Sequence, residues 1–319
     1  MIVSAAQISP VLLDREATLA KVLSWAGRAA DEGAALVAFP ETVLPGYPTW
    51  LARTGGATFD DPLQKTLHAA YLDQALELPG PELTQLQELA ADRKLSLLVG
   101  VAERGRTDGR GTLWCTLLHV HPDGRWLAHR KLVPTYEERL AWGSGDGHGL
   151  RAQQVGAWRV GALNCWENWM PAARMALWAD GAELLVSCWP GRPELTRDIS
   201  RFSAREGRVW VLAASGVLHA DELPGDLPAR DELVASTDDG WLHAGGSRVV
   251  GPDGRELLAL DEPIEGLLTA QLDRELLLGE RQNFDPAGHY HRPDVFHFEV
   301  DRRRQRAASF REDEDDVAD

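Results

Sequence analysis

Residues 34–41 have the sequence AALVAFPE, a short apolar run that ends in a proline and a carboxylate. A continuous apolar run of this length is typical of a strand buried on both faces, as in a parallel sheet. Residues 2–7 predict an earlier strand, and residues 14–32 between the two carry apolar side chains at helical spacing. Asp14 is a suitable N-cap and Gly33 follows the predicted helix end. The segment therefore predicts a β-α-β unit and an α/β fold.

Strands and helices continue to alternate along the rest of the chain. Apolar runs predict strands, and apolar residues at helical spacing predict the helices between them. The predicted elements are a helix at 81–93, strands at 95–102, 113–120, 126–130, 158–164, 182–188 and 208–214, and helices that begin near 171 and 194. This alternation favours a layered α/β architecture.

Two Pro-Asp-Gly-Arg sequences, at 122–125 and 252–255, predict β-hairpins. Proline presets φ for the turn, and glycine accepts the left-handed conformation that the turn requires. The repeated turn is consistent with an internal duplication of a sheet-and-helix half. Two independent turns are the favoured interpretation, since such turns arise repeatedly.

Net charge and apolar patterning limit the partners of the protein. The formal net charge of -16 and the pI near 5.1 oppose binding to a phosphate backbone, so no nucleic acid partner is expected. The N-terminus lacks a basic region before its apolar residues, and no apolar run approaches the length that spans a bilayer. Three irregularly spaced cysteines do not form a disulfide framework. We therefore expect a cytoplasmic protein with no membrane partner.

Two segments are rich in charge and poor in apolar residues. Residues 301–319 predict a solvated, disordered C-terminal tail, which leaves residues 1–300 as one domain. Residues 220–240, rich in Pro, Asp and Glu, predict a surface loop.

Glu41, Lys131 and Cys165 each come just after a predicted strand. Strand ends in layered α/β proteins converge on one crevice, so these side chains are expected to meet. A thiol needs a positive neighbour or a helix N-terminus to become a thiolate, and a carboxylate can take its proton during attack. Lys131 would supply the charge and Glu41 the base. The pattern therefore predicts a nucleophilic cysteine centre.

Each of these residues also has a simpler interpretation. Cys165 alone fits a small buried apolar side chain, and Glu41 and Lys131 alone fit surface charges. Only their coincidence at strand ends favours catalysis. Cys115 and Cys188 lie within apolar runs and are predicted to be core residues.

The histidines allow two other hypotheses. A Cys-His dyad is conceivable, although no histidine is adjacent to Cys165. The pairs at 119 and 121 and at 289 and 291 have a spacing that could ligate a metal. Residues two apart in a strand share a face for ordinary reasons, so no metal and no other cofactor is predicted.

Four segments resemble the nitrilase superfamily of carbon–nitrogen hydrolases. They are 39–48 (FPETVLPGYP), 129–139 (HRKLVPTYEER), 162–171 (ALNCWENWMP) and 288–294 (GHYHRPD). The CWEN and PTxxER sequences look like those of the branch that hydrolyses nitriles. The resemblance implies that Glu41 is the general base, Lys131 the charge stabiliser and Cys165 the nucleophile. It further implies that Glu138 orients Lys131 or the substrate.

The resemblance also implies a four-layer α-β-β-α sandwich over residues 1–300 that pairs into an eight-layer homodimer or a larger homo-oligomer. The implied reaction converts an organic nitrile to a carboxylic acid and ammonia through a thioimidate and a thioester. The alternatives are an amidase or carbamoyl hydrolase that uses the same triad, a cyanide hydratase, or a catalytically silent binding module.

Aromatic residues lie beside the candidate segments. The chain has twelve tryptophans, and Tyr47, Trp166 and Trp189 are next to the triad segments in sequence. We predict that these three line the substrate pocket. Each of them could instead be an ordinary core aromatic residue.

Overall fold

The computed structural model describes residues 1–107 and 109–308, and it confirms the predicted α/β class. The described strands are β1 (Ile2–Gln7), β2 (Leu36–Ala38), β3 (Leu76–Glu77), β4 (Ser96–Arg104), β5 (Leu113–Val120), β6 (Trp126–Arg130), β7 (Gln153–Val155), β8 (Trp158–Asn164), β9 (Leu184–Trp189), β10 (Trp210–Ser215), β11 (Val217–His219), β12 (Trp241–Ala244), β13 (Ser247–Val250), β14 (Glu256–Leu260) and β15 (Gly266–Gln271). The described α-helices are α1 (Arg15–Asp31), α2 (Pro62–Gln74), α3 (Pro81–Arg93), α4 (Pro171–Ala179), α5 (Pro193–Gly207), α6 (Arg230–Ala235) and α7 (Arg274–Glu280).

The β-α-β unit predicted from residues 2–41 is confirmed. Strand β2 pairs in parallel with β1, and α1 connects the two strands. The Asp14 side chain accepts a hydrogen bond of 2.9 Å from the Ala17 amide and so caps α1. Helix α1 buries Leu19 and Val22 against the first sheet, which fixes the direction in which the chain returns to β2.

The strands form two large sheets and a small two-stranded one. The first sheet has the order β15-β1-β2-β4-β5-β6, with β3 paired to β4, and the second has the order β14-β13-β10-β9-β8-β7. In each sheet three parallel strands are followed by two antiparallel ones, β5-β6 in the first and β13-β14 in the second. Both predicted Pro-Asp-Gly hairpins are confirmed, and they occupy equivalent positions in the two sheets.

The two sheets pack face to face, with helices on their outer faces. Side chains from β1, β2 and β4 meet those from β8, β9 and β10 in one buried apolar cluster between the sheets. A second cluster joins the outer face of the first sheet to α1 and α3. A third joins the outer face of the second sheet to α4 and α5. The layers therefore follow the order helix, sheet, sheet, helix.

The expectation of a surface loop at 220–240 is correct only in part. This segment contains α6, and Leu223, Leu227 and Leu233 are buried in an apolar cluster beside β5 and α2. The acidic side chains that suggested a loop face outward, and the buried leucines hold the segment against the domain.

Residues 301–308 lie against the body of the domain. Arg302 is 3.3 Å from a carboxylate oxygen of Asp180, and Arg304 is 3.1 Å from one of Asp146. The rest of the predicted tail, residues 309–319, lies outside the described residues. Within the described ranges, no helix combines the length and the apolar character needed to cross a membrane.

Candidate active site

Glu41, Lys131 and Cys165 meet where the two sheets adjoin. Strands β2 and β6 run in the same direction. Glu41 and Lys131 follow their carboxyl ends, so both residues lie at the same end of the first sheet. Cys165 follows β8 of the second sheet, and all three side chains are buried. One oxygen of Glu41, one of Glu138 and the Cys165 Sγ lie within 4.8 Å of one another. The convergence predicted from strand ends is therefore present in the fold.

The Glu41 loop passes so close to β4 that only glycine fits beneath it. A Cβ on Gly100 would lie 2.2 Å from the Pro40 carbonyl oxygen and 2.4 Å from the Thr42 amide nitrogen. The Glu41 amide also donates to the Trp189 carbonyl at 3.3 Å, which links this loop to the end of β9 in the second sheet. These contacts hold the Glu41 backbone between the sheets.

Lys131 is held by two carboxylates. Its Nζ donates to Glu41 Oε1 at 2.9 Å and to Glu138 Oε2 at 2.7 Å. Glu138 Oε1 accepts a 2.8 Å hydrogen bond from the Tyr47 hydroxyl, and its Oε2 also accepts from the Thr135 amide at 2.6 Å. An ammonium has three N–H donors, so Lys131 retains one for a further acceptor.

Cys165 occupies a left-handed backbone conformation at the start of a 3₁₀ helix, Cys165–Trp169. Its φ is +47°, which is costly for a residue with a Cβ. Thr42, next to Glu41, and Tyr136, two residues before Glu138, have φ of +44° and +42°. Strained backbone of this kind concentrates at functional sites, because the surrounding structure must hold it in place. The Asn168 side chain supports the turn, since its Nδ2 donates to the Cys165 carbonyl at 2.9 Å.

Glu167 ties the Cys165 turn to the Lys131 segment, a role that the sequence did not predict. Its buried carboxylate accepts from the Asn164 amide at 3.0 Å and from the Leu132 amide at 2.8 Å, and it lies 2.8 Å from His129 Nε2. Burial opposes ionisation of Glu167, but His129 and the two amides together hold its pKa below the usual value. An ionised carboxylate thus joins the residues that flank Cys165 and Lys131.

Burial and the neighbouring charges together set the pKa values of the triad. It raises the pKa of Glu41 to about 7, although Lys131 opposes this shift. Burial and the nearby Glu41 charge raise the pKa of the Cys165 thiol well above its usual range. Burial alone would lower the pKa of Lys131, but the acidic groups around it, Glu41 foremost, raise it well above the usual value.

Lys131 therefore does not leave Cys165 as a resting thiolate. The positive charge of Lys131 is already matched by Glu41 and Glu138, so the thiol keeps its proton at neutral pH. Glu41 Oε2 is buried and has no hydrogen-bond partner among the described residues, so this oxygen is free to accept a proton.

Cys115 and Cys188 are buried, as predicted, but Cys115 also contacts the site. Its Sγ lies 3.4 Å from Glu41 Oε1 as a hydrogen-bond donor. It therefore helps to orient the carboxylate whose other oxygen is unpartnered. Residues 74 positions apart make this contact, and no local pattern indicates it.

The oxygen and sulfur atoms of Glu41, Glu138 and Cys165 could in principle ligate a cation. The Lys131 ammonium lies between the two carboxylates and already supplies the positive charge there. His119 and His121 are buried and stacked, with ring centroids 4.1 Å apart. Neither histidine belongs to the group of Glu41, Glu138 and Cys165.

A cavity of about 280 Å³ opens above Cys165. Tyr47, Trp166 and Trp189 all line it, with Trp189 only 1% exposed and Trp166 44% exposed. The lining also includes three residues that the sequence did not single out, namely Arg53, Arg192 and His243. The lining thus combines aromatic side chains with two arginines, the His243 imidazole and the carboxylates of Glu137 and Glu138.

The chain matches a family model and several named relatives. The model of the carbon–nitrogen hydrolase family matches residues 2–279. An aliphatic nitrilase from Sinorhizobium fredii (strain HH103) is 38% identical over 301 residues, which cover 92% of this chain and 94% of that protein. A bromoxynil-specific nitrilase from Klebsiella pneumoniae subsp. ozaenae is 34% identical over 315 residues, covering 96% of this chain and 86% of that protein.

A solved structure supports the fold. The crystal structure of an amidase from Nesterenkonia sp. matches with a TM-score of 0.64, covering 89% of this chain and 94% of that chain. At 21% identity this match bears on the fold alone. The family match over most of the chain and the relatives above 30% identity show that this chain belongs to the carbon–nitrogen hydrolase family and is a hydrolase that acts on carbon–nitrogen bonds.

Proposed function

We propose that this enzyme is a nitrilase, which converts an organic nitrile to a carboxylic acid and ammonia. In this proposal Cys165 is the nucleophile, Glu41 the general base and Lys131 the charge stabiliser, and Glu138 orients Lys131. The observation that carries the proposal is the buried Lys131, bonded to both carboxylates, beside a thiol within 4.8 Å of an oxygen from each. The names of the relatives, aliphatic and bromoxynil-specific nitrilases, support the choice of a nitrile.

The first step is addition of the Cys165 thiol to the nitrile carbon. Glu41 Oε2 takes the thiol proton as the sulfur–carbon bond forms and one carbon–nitrogen π bond breaks. The electron pair moves to the nitrile nitrogen, where the free N–H of Lys131 stabilises the developing charge. Protonation of that nitrogen gives a neutral thioimidate and returns Glu41 to its carboxylate form.

Two waters complete the reaction. The first adds to the thioimidate carbon with Glu41 as base and gives a tetrahedral intermediate. Cleavage of its carbon–nitrogen bond, with protonation of the nitrogen, releases ammonia and leaves a thioester on Cys165. The second water attacks the thioester carbon, and cleavage of the carbon–sulfur bond releases the acid and regenerates the thiol. Cleavage of the carbon–sulfur bond before ammonia departs would give an amide instead.

In the same proposal Tyr47, Trp166 and Trp189 line the substrate pocket. Tyr47 donates to Glu138, and burial together with Glu138 holds the pKa of Tyr47 well above its usual value, so it remains a donor. The layered fold is compatible with the expected pairing of two copies into an eight-layer homodimer.

The substrate class is tested by ammonia release from matched nitrile and amide pairs. We expect release from aliphatic nitriles at a rate well above that from the amides of the same chains, because a linear nitrile fits beside a thiol buried among aromatic residues. The assay covers aliphatic, aromatic and arylacetonitrile substrates. Release from amides with none from nitriles would replace the proposal by the amidase alternative, and formamide from cyanide would indicate a hydratase.

Glu167→Gln is expected to lower both stability and turnover. Glutamine cannot accept hydrogen bonds from all three nitrogen donors, so the substitution should cost about 3 kcal/mol in the free energy of unfolding. Because the Cys165 turn and the Lys131 segment lose their common anchor, kcat should fall about tenfold or more in the folded fraction. Denaturant unfolding and active-site-normalised kcat measure the two effects.

Glu183→Gln is the matched control for this variant. Glu183 is also buried, pairs with Arg274 at 2.9 Å and accepts from the Arg159 amide at 3.1 Å, but it lies at the start of β9 away from the triad. The Glu183→Gln variant should lose stability and keep the kcat of the unmodified enzyme. An equal loss of kcat in both variants would mean that Glu167 acts through stability alone.

A further inference from the structure

The cavity above Cys165 carries two arginines without acidic partners. Arg53 and Arg192 both line it, as do Glu137 and Glu138, and among the described residues neither guanidinium forms an ion pair. Arg53 donates to the carbonyl and hydroxyl oxygens of Ser236, at 3.1 and 2.8 Å, which are neutral acceptors. The adjoining surface depression holds the acidic residues Glu194, Asp238 and Asp239, yet none of them pairs with these arginines.

His243 lies beside the two arginines. Its Nε2 is buried and has no hydrogen-bond partner among the described residues, and its side chain lines the same cavity. Burial and the positive charges of Arg53 and Arg192 lower the pKa of His243 to about 3. The imidazole is therefore neutral in the working range of pH, and its Nε2 is available for a hydrogen bond to a ligand.

The two guanidinium groups also act on each other. Burial and the charge of Arg192 lower the pKa of Arg53. In a chain with a net charge of -16, two arginines that line one cavity without an ion-pair partner form a local exception to the general field. An anion between them would remove their repulsion and satisfy the unpartnered His243 nitrogen. A guanidinium presents planar paired donors that match a carboxylate.

Tyr47 connects this cationic group to the catalytic end of the cavity. Its hydroxyl bonds to Glu138 at 2.8 Å, and its ring packs edge-on to the His243 ring with centroids 5.4 Å apart. A single tyrosine side chain thus spans from the triad to the histidine. The cavity of about 280 Å³ accordingly suits a short molecule that reaches both ends.

We infer that the preferred substrate is a short cyano carboxylic acid, whose nitrile is attacked by Cys165 while its carboxylate is bound by Arg53, Arg192 and His243. This inference rests on the proposed nitrilase function and names its substrate class. It assigns to Arg53, Arg192 and His243 the role of specificity-determining residues that contact the end of the substrate opposite the reacting carbon.

The test compares charged and neutral nitriles of equal chain length. The probes are cyanopropanoate, cyanobutanoate and cyanopentanoate, each with the nitrile on the terminal carbon, and the straight-chain nitriles in which a methyl group replaces the carboxylate. We expect kcat/KM for one cyano acid to exceed that of its neutral partner by about tenfold or more. This ratio should fall as salt concentration rises, because ions screen the attraction.

Arg192→Gln should reduce the ratio of acid to neutral kcat/KM by about tenfold, mainly through KM, and Arg192→Lys should reduce it less. The Arg192 side chain has no described hydrogen bond, so its replacement removes only the charge. Arg53→Gln also removes the two hydrogen bonds to Ser236, so the thermal stability of that variant is measured beside its kcat/KM ratio. Arg255→Gln, which removes the same charge from an exposed turn outside the cavity, should leave the ratio unchanged.

The outcomes separate the two proposals. Equal kcat/KM for charged and neutral nitriles in the unmodified enzyme, or an unchanged ratio in Arg192→Gln, would overturn the carboxylate site while leaving the nitrilase function intact. Turnover of no nitrile at all would overturn the function. In that case calorimetric binding of cyanobutanoate to the full chain, and its weakening by about tenfold in Arg192→Gln, still decides whether the carboxylate site exists.

Discussion

Cys165→Ala is expected to abolish ammonia release from nitriles, with a loss of at least about 10⁴-fold in kcat, while the protein remains folded. The substitution removes the only described thiol in the cavity and, with it, the covalent route. Alanine also fits the space that Cys165 occupies, so the unfolding midpoint should change little. Ammonia release and thermal unfolding, measured on the same preparation, check the two parts of this prediction.

Cys188→Ala is the matched control. Cys188 is an equally buried thiol on β9, lies in the cluster between the two sheets and does not line the cavity. It should lose about 1 kcal/mol of stability or somewhat more and keep its turnover. Wild-type turnover in Cys165→Ala would remove the thiol from the mechanism.

Glu41→Gln is expected to lower kcat by about 10³-fold or more, since general-base catalysis by a positioned group supplies about 10²–10⁴-fold and Glu41 acts in several steps. The glutamine oxygen can still accept from Lys131, which tends to preserve the packing. Steady-state ammonia release and circular dichroism separate a lost base from a lost fold. Near-normal turnover in a folded variant would place the base elsewhere.

The acidic limb of the pH profile should report on the same residue. The base must be ionised, and burial raises the pKa of Glu41 to about 7. The kcat/KM of the unmodified enzyme should therefore fall as pH drops through about 7, since the protonated carboxyl cannot take the thiol proton. This limb should be absent from the residual activity of Glu41→Gln. An identical limb in the variant would assign it to another group.

Local signals in the sequence predicted much of the fold. The apolar run around β2, the N-cap at Asp14 and the proline-glycine turns are decided by nearby residues, and each was confirmed. Helix α3 was predicted from 81 to 93 and has those bounds. The strands that end just before Lys131 and Cys165 were also predicted with their observed ends at 130 and 164. Convergence of the triad followed from these strand ends.

The parts that were missed depend on contacts between distant residues. Strand β15 pairs with β1, although the two strands lie near opposite ends of the domain in sequence. No pattern within residues 266–271 indicates that pairing. Helix α2 has weak amphipathic character and buries only Leu67 and Tyr71, so it was not predicted. The leucines that anchor residues 220–240 were outweighed by their charged neighbours.

Charge balance in the site could not be predicted from residue types alone. Lys131 was predicted to supply positive charge to Cys165, but two carboxylates share that lysine, and only the positions of Glu41 and Glu138 in space show this. The same applies to Arg53, Arg192 and His243, which come from separate parts of the chain and meet only at the cavity. Side chains that act on one another across the fold leave no local pattern.

The most direct test of the central claim is mass spectrometry of the covalent intermediate. The enzyme is mixed with an aliphatic nitrile, quenched in acid within one turnover, digested and mapped. We expect an adduct on the peptide that contains Cys165, with the mass of the whole nitrile for the thioimidate or of the acyl group for the thioester, and none in Cys165→Ala. Nitrile turnover with no adduct on Cys165, or an adduct at Cys115 or Cys188 instead, would contradict the account.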